Sequence, residues 1–112
     1  MLFRSVADAF AAAATELAEM AVRETGFGNV NDKITKNEFA SRTLLSAIEG
    51  KTCVGVLKED AREKLWEIGV PVGVIAAIVP STNPTSTVCY KAMIALKAGN
   101  SIVFSPHPKA IA

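Results

Sequence analysis

Apolar side chains recur at steps of three and four residues in the first half of the chain, a spacing typical of amphipathic helices. The first such stripe lies between residues 3 and 22 and predicts one long helix, which Gly26 and Gly28 are expected to end. A second stripe predicts another helix that starts at an Asp32 N-cap, runs to about Ile48 and is closed by Gly50. The first stripe consists of Phe3, Val6, Ala7, Phe10, Ala14, Leu17 and Ala21.

The pattern then changes from helical spacing to short apolar runs. Residues 51–71 are charged and mixed, with a short strand predicted at Cys53–Leu57 and an edge strand at Leu65–Ile68. The run Val72–Val79 is almost wholly apolar and rich in β-branched residues. Such a run predicts a strand buried on both faces of a parallel sheet.

A turn and a third helix follow this strand. Pro80–Asn83 is the predicted turn, and Pro84 suits the first helical position, where a missing N–H costs nothing. The helix is expected to reach about Ala98 and to end at Gly99-Asn100.

Ser101–Phe104 is predicted as a second strand, which Pro106 and Pro108 prevent from continuing. Strand, helix and strand over residues 72–104 form a βαβ unit with parallel strands. Because ligands bind beyond the carboxyl ends of such strands, the loops Pro80–Asn83 and Ser105–Pro108 are expected to converge on one site. The predicted fold class is therefore α/β: a helical part over residues 1–50, a mixed segment over 51–71, and a Rossmann-like βαβ unit over 72–104.

Composition narrows the classes of partner. The 112 residues suffice for one small domain, and 12 basic against 11 acidic residues leave a net charge of +1, which gives no reason to expect nucleic acid or an anionic membrane. Residues 68–112 contain no acid and only three lysines. A segment so poor in charge is expected to be covered on most sides, which predicts that the rest of a larger domain is missing.

The two cysteines, Cys53 and Cys89, are too few and too far apart for a disulfide framework, and there is no secretory signal or apolar run long enough to span a bilayer. We therefore expect a reduced, cytoplasmic protein. One histidine and two scattered cysteines form no metal site. Cys89 is predicted to be a small core residue, and Cys53 to be structural.

Two motif groups resemble the aldehyde dehydrogenase superfamily. The first runs from Val70 to Pro84 and ends in Pro-Ser-Thr-Asn-Pro; the second joins Ala98-Gly-Asn100 to Phe104-Ser-Pro-His-Pro108. These versions of the motifs look like the branch that acylates coenzyme A. The same branch is supported by Glu24-Thr-Gly-Phe-Gly28 and by the pairs Asp32-Lys33 and Lys36-Asn37. The resemblance covers nearly the whole chain and implies an amino-terminal part of the NAD-binding domain, with the catalytic domain absent.

The resemblance implies a reaction in which a cysteine thiolate attacks an aldehyde, hydride passes to NAD, and coenzyme A takes the resulting acyl group. Asn83 matches the family's oxyanion asparagine, and Pro80, Ser81 and Thr82 match the stretch along the nicotinamide cofactor. An ordinary turn residue or N-cap is the alternative interpretation for Asn83, and a polar turn after a strand is the alternative for the other three. The family nucleophile matches neither cysteine, so the chain alone is expected to be inactive.

Ser105, Pro106 and His107 are the remaining cofactor-binding candidates. They depart from the Lys-Pro pair of non-acylating members, which puts the usual ribose contact in doubt, and an exposed loop histidine is the alternative for His107. A homo-oligomer or the rest of the domain is the expected partner, and a bacterial microcompartment is the alternative location. Two other functions remain open: a non-catalytic module that associates with a full-length dehydrogenase, and a small nucleotide-binding module, which the lack of a Gly-x-Gly-x-x-Gly turn disfavours.

Overall fold

The computed structural model describes residues 2–111 as a helical layer, a β-hairpin and a βαβ unit. None of the helices in this range is both long and apolar enough to cross a bilayer. The helices are α1 (Leu2–Ala12), α2 (Ala14–Thr25), α3 (Val30–Glu38), a π-helical turn (Phe39–Thr43), α4 (Leu44–Ile48) and α5 (Pro84–Lys97). The strands are β1 (Gly55–Asp60), β2 (Leu65–Gly69), β3 (Val74–Val79) and β4 (Ser101–Pro106).

The single helix predicted over residues 3–22 is two helices in the structure. Ala13 leaves helical dihedrals (φ −96°, ψ 10°), although its N–H still donates to the Ala9 carbonyl at 3.1 Å. The bend follows from packing, because α1 lies mainly against α5 whereas α2 lies mainly against α3. The spacing of apolar residues along a helix does not show that its two halves pack against different helices. The predicted stop is confirmed, since Gly26 caps α2 with a left-handed φ of 71°.

Asn29, and not Asp32, is the N-cap of the second helical segment. The Asn29 Oδ1 accepts a hydrogen bond from the Asp32 backbone N–H at 2.9 Å, and its Nδ2 donates to the Asp32 carboxylate at 2.7 Å. Asp32 therefore lies in the first turn of α3, where its negative charge also favours the positive end of the helix dipole. The predicted end at Ile48 is confirmed, but Phe39–Thr43 forms a π-helical turn that the apolar spacing did not indicate.

The mixed segment forms a two-stranded antiparallel hairpin, β1 with β2. The strand predicted at Cys53–Leu57 begins later, at Gly55, and runs to Asp60, while Leu65–Ile68 is confirmed and extends to Gly69. Among residues 2–111, neither strand packs against any other helix or strand. Apolar side chains of the hairpin, including Trp66 at 56 % exposure, therefore lie open.

The βαβ unit is confirmed. Strands β3 and β4 are parallel, Pro84 is at the start of α5, and Gly99 follows its end with a φ of 73°. The Asn100 Oδ1 accepts from the backbone N–H groups of Val72 and Gly73 at 2.7 and 3.0 Å. This buried side chain thereby ties the turn before β4 to the start of β3.

Strand β3 is not buried on both faces in this chain, contrary to the prediction. It begins at Val74, after Gly73 with a φ of 105°, and Val74 and Ile78 are 72 % and 76 % exposed whereas Ala77 and Val79 are buried. Only β4 pairs with it among the described residues, and α5 covers one of its faces. The apolar run therefore indicates a strand that is covered on both faces, but residues 2–111 cover only one of them.

Strand β4 extends through Pro106, two residues beyond the predicted end. Ser101 and His107 donate their N–H groups to the carbonyls of Gly73 and Val79. The backbone N–H groups of odd-numbered residues in β4 therefore point toward β3. Pro106 is even-numbered, and its missing N–H falls where no bond to β3 is made. The proline is thus compatible with the pairing of Pro106 with Val79.

A small apolar core joins the helical layer to α5. It contains Ala7, Ala40, Cys89 and Met93, with the last two fully buried. Cys89 is thus a core residue, as predicted. Burial raises the pKa of its thiol to about 11.

Candidate functional site

The loops after β3 and β4 lie side by side, as their positions in the sequence predict. The His107 N–H donates to the Val79 carbonyl at 3.0 Å, which joins the end of one strand to the start of the other loop. Pro80, Thr82 and Ser105 are exposed there, and Ser81 is half-buried. The two predicted cofactor-binding segments therefore share one edge of the sheet.

His107 lies in a local turn. Its Nδ1 accepts from the Lys109 N–H at 3.1 Å, and its carbonyl accepts from the Ala110 N–H at 2.8 Å. The imidazole is exposed, and Nδ1 is engaged by the backbone. Nε2 is therefore the ring atom left to meet a ligand at this edge.

Asn83 is the residue before α5, but its side chain does not cap the helix. The Asn83 carbonyl accepts from the Thr87 N–H at 3.2 Å, so the backbone alone begins the helical ladder. The side-chain Oδ1 instead accepts from the Lys36 Nζ at 3.1 Å. The Nδ2 has no hydrogen-bond partner in residues 2–111.

Helix α3 supplies one further contact to this loop and one to the first turn of α5, and the sequence did not single out either as functional. Lys33, which is only 4 % exposed, donates from Nζ to the Thr82 carbonyl at 2.8 Å. Desolvation by burial, and then the charge of Lys36, lower the pKa of this ammonium from its ordinary 10.5. Asn37 accepts from the Thr85 hydroxyl at 2.8 Å and donates to the Ala14 carbonyl at 3.0 Å.

Spacing gave one usable signal for these residues. Lys33, Lys36 and Asn37 are separated by three and four residues, so they share one face of a helix. Which loop that face meets depends on tertiary packing between α3 and α5, which no local pattern reports.

A cavity of about 620 Å³ opens between α3, the π-helical turn and α5. Asn83 lines it together with Lys36, Phe39, Leu44, Thr87 and Tyr90. The wall is mainly apolar and carries an amide and an ammonium at one end, which suits a small organic molecule with one polar group.

Pro106 belongs to a different cavity, of about 250 Å³, with Val79, Pro84 and Phe104 in its wall. The predicted site residues are thus divided between two places. Asn83 lies on the cavity beside α3, whereas Pro106 lies on the cavity at the carboxyl ends of the strands.

Neither cysteine lies in the wall of either cavity. Cys89 is fully buried, and its raised pKa disfavours the thiolate. Cys53 is half-buried in the segment before β1. The described residues also contain no group of three or more metal-ligating side chains.

Comparisons with known proteins agree with this architecture. The bifunctional aldehyde-alcohol dehydrogenase AdhE of Escherichia coli K12 is 49 % identical over 109 residues, which are 97 % of this chain and 12 % of that protein. A crystal structure of an acetylating aldehyde dehydrogenase from Geobacillus thermoglucosidasius is 54 % identical with a TM-score of 0.92, over 96 % of this chain and 24 % of that one. The present chain therefore spans a quarter or less of either protein.

A propionaldehyde dehydrogenase from Rhodopseudomonas palustris, solved with bound CoA and an acylated cysteine, is 32 % identical with a TM-score of 0.67. The match covers 98 % of this chain and 26 % of that one. The sequence profile of the aldehyde dehydrogenase family matches residues 1–112. The chain therefore belongs to the aldehyde dehydrogenase family, and its relatives include members that acylate coenzyme A.

Proposed function

We propose that this chain forms the aldehyde-facing wall and part of the NAD site of an enzyme that converts an aldehyde to its acyl-CoA, and that the chain alone does not catalyse the reaction. The observation that carries the proposal is the state of Asn83. Its side chain is turned away from capping α5, its Oδ1 is held by Lys36, and its Nδ2 is unpaired in residues 2–111.

An unpaired amide N–H beside an apolar cavity suits a developing alkoxide. When a thiolate attacks an aldehyde carbon, the carbon–oxygen π bond breaks and the oxygen gains negative charge. A fixed N–H donor stabilises that charge more than it stabilises the neutral carbonyl, so it lowers the barrier. We assign this role to the Asn83 Nδ2. The attacking cysteine is expected from a segment other than residues 1–112, because neither Cys53 nor Cys89 lines the cavity.

The edge formed by Pro80, Ser81, Thr82, Ser105, Pro106 and His107 is our proposed part of the cofactor site. Oxidation of a hemithioacetal to a thioester releases a hydride, and NAD supplies the acceptor when bound. The exposed backbone and side chains at this edge leave room for a planar ring and a ribose, as at the strand ends of other open parallel sheets. The glycine-rich cradle for a pyrophosphate does not occur among residues 2–111, so this edge accounts for only part of a dinucleotide site.

A chimera tests the proposal. The chain would replace the matching segment of the Geobacillus enzyme, whose structure superposes with a TM-score of 0.92. The chimera is expected to reduce NAD with aldehyde and CoA, whereas the isolated chain is expected to show no turnover. If the isolated chain did turn over, and Cys53→Ser abolished that turnover, the assignment of the nucleophile to another segment would be contradicted.

Two substitutions in the chimera then separate the possible roles of Asn83. Asn83→Ala is expected to lower kcat by about 10²–10³ with little change in NAD affinity, since one oxyanion donor is lost. Asn83→Asp keeps an acceptor for Lys36 but removes the donor, so it is expected to be at least as impaired. Full activity of Asn83→Asp, or loss of NAD binding alone in Asn83→Ala, would contradict the oxyanion assignment. Asn31→Ala, an exposed asparagine on α3, is the matched control.

A second candidate, association with a full-length dehydrogenase or with another copy of the chain, is favoured by the hairpin. Leu65, Trp66 and Ile68 are 55–59 % exposed, and β1 and β2 pack against no other element in residues 2–111. An apolar surface of this kind is typical of a contact with another chain or segment. Sedimentation of the isolated chain, with and without Trp66→Glu, distinguishes self-association from a free hairpin.

A further inference from the structure

Helix α3 holds the loop before α5 with two ammonium groups, one turn apart. Lys33 Nζ donates to the backbone carbonyl of Thr82 at 2.8 Å, and Lys36 Nζ donates to the side-chain Oδ1 of Asn83 at 3.1 Å. The first contact fixes the main chain of the loop, and the second fixes the side chain at its end. Lys33 is nearly fully buried, so its stem has little freedom to move away.

The contact with Lys36 decides which way the Asn83 amide faces. An ammonium has three donors and no acceptor, so it can meet only the oxygen of an amide. The oxygen is therefore turned toward α3, and the NH₂ group is turned away from it. Without Lys36 the last torsion of an asparagine is broad and roughly two-fold, so both orientations would be populated.

The same contact also strengthens the amide as a donor. A positive charge on the oxygen side draws electron density from the N–H bonds, and hydrogen bonds in a chain polarise one another in the same direction.

We propose that Lys36 is a positioning residue for catalysis: it orients and polarises the Asn83 amide, while Lys33 anchors the loop at Thr82. This inference rests on the proposed function, in which the Asn83 Nδ2 meets the developing alkoxide. Lys36 acts through Asn83 and does not itself contact the aldehyde.

The first test compares Lys36→Met and Lys36→Arg in the chimera. Methionine keeps the length of the side chain and removes the donor, so kcat is expected to fall by about ten- to hundredfold, the range of one hydrogen bond to a charged group. KM for the aldehyde is expected to change less than about threefold, because an interaction realised only in the transition state is lost. Arginine restores a donor and is expected to recover most of kcat. Lys51→Met, at an exposed lysine outside the cavity, is the control.

The second test is a double-mutant cycle with Asn83→Ala. If Lys36 acts through Asn83, Lys36→Met is expected to cost little more once Asn83 is absent. An equal, additive loss in both backgrounds would overturn the inference and indicate that Lys36 contacts the substrate or another part of the enzyme. If Asn83→Ala alone leaves kcat unchanged, the proposed function itself fails, and this inference fails with it.

Thermal unfolding of each variant separates chemistry from folding. Lys36 is exposed, so Lys36→Met is expected to unfold within a few degrees of the parent chimera. A fall in kcat that tracks a fall in stability and is equally large in Lys36→Arg would overturn the positioning role.

Discussion

Asn37 joins three helices, and its replacement by alanine tests how this part of the fold is held. The side chain is 1 % exposed, and its Nδ2 donates to the Ala14 carbonyl at the start of α2. Its Oδ1 accepts from the Thr85 hydroxyl in the first turn of α5. Asn37→Ala removes both contacts and is expected to lower the free energy of unfolding.

The magnitude follows from the two hydrogen bonds. The two bonds together are worth about 2 kcal/mol net, and a buried partner left unpaired adds about 1–3 kcal/mol, so the loss is about 3–5 kcal/mol. Alanine recovers about 0.7 kcal/mol because it favours the helix more than asparagine does. The expected net loss is therefore about 2.5–4 kcal/mol, a large fraction of the stability of any small domain.

Urea unfolding followed by far-UV circular dichroism measures this loss, in the isolated chain or in the chimera. Asn31→Ala is the control, because Asn31 lies on the same helix with an exposed side chain and gains the same helix propensity. Thr85→Val removes only one of the two bonds and is expected to cost about half as much. A difference below about 0.5 kcal/mol between Asn37→Ala and Asn31→Ala, at equal m-values, would refute the reasoning.

Three further predictions concern other sites. Alkylation followed by mass spectrometry is expected to label Cys53 but not Cys89 in the folded chain, because a pKa of about 11 leaves roughly one thiolate in a thousand near pH 8; rapid native labelling of Cys89 would contradict its burial. Gly69→Ala would place a Cβ inside van der Waals contact with the Cys53 carbonyl oxygen, so hydrogen exchange is expected to quicken across the hairpin around Trp66. Unchanged exchange would show that the backbone relaxes without cost. Because burial lowers the pKa of Lys33, the unfolded chain binds more protons than the folded chain between that lowered pKa and 10.5. The parent is therefore expected to gain stability relative to Lys33→Met as the pH rises through this window. Urea midpoints of the two proteins that change equally with pH would contradict this prediction.

The βαβ unit could be predicted because its signals are local. The apolar run that ends in β3, the proline at the first position of α5 and the Gly99-Asn100 stop each act within a few residues. The convergence of the two loops followed from parallel pairing alone, and the bond from His107 to Val79 agrees with it.

Two of the errors come from competition between nearby residues or packing partners, and a third comes from the register of a strand pair. Asn29 and Asp32 are both good N-caps, and Asn29 takes the role because it is the extended residue (φ −125°, ψ 161°) between the bend at Gly28 and α3. Ala13 interrupts a helix whose sequence is uniform, because its two halves contact different helices. Pro106 remains in β4 because the N–H position of this residue points away from β3. Predicting this requires the register of the two strands.

The candidate site was predicted only in part, since Asn83 was identified from a motif but its lysine partner was not. Charged residues on a helix are usually solvated. Apart from their shared helix face and their resemblance to the coenzyme-A-acylating branch, Lys33 and Lys36 therefore carried no sign of a role. Their contacts span 47 to 49 residues of sequence. The packing of α3 against α5 brings them to the loop.

The start of α5 explains how an asparagine in an N-cap position keeps its side-chain N–H groups unpaired among residues 2–111. An N-cap side chain normally accepts from the second or third N–H of its helix, which would turn the Asn83 oxygen inward. Pro84 has no N–H to satisfy, and Thr85 is tied by its hydroxyl to Asn37, so the helix start is held without the Asn83 side chain. Lys36 then donates a hydrogen bond from its charged ammonium to the Asn83 oxygen, and such a bond is stronger than one from a neutral backbone N–H. The amide is thereby held by its oxygen alone, and the nitrogen is left to a partner that residues 2–111 do not provide.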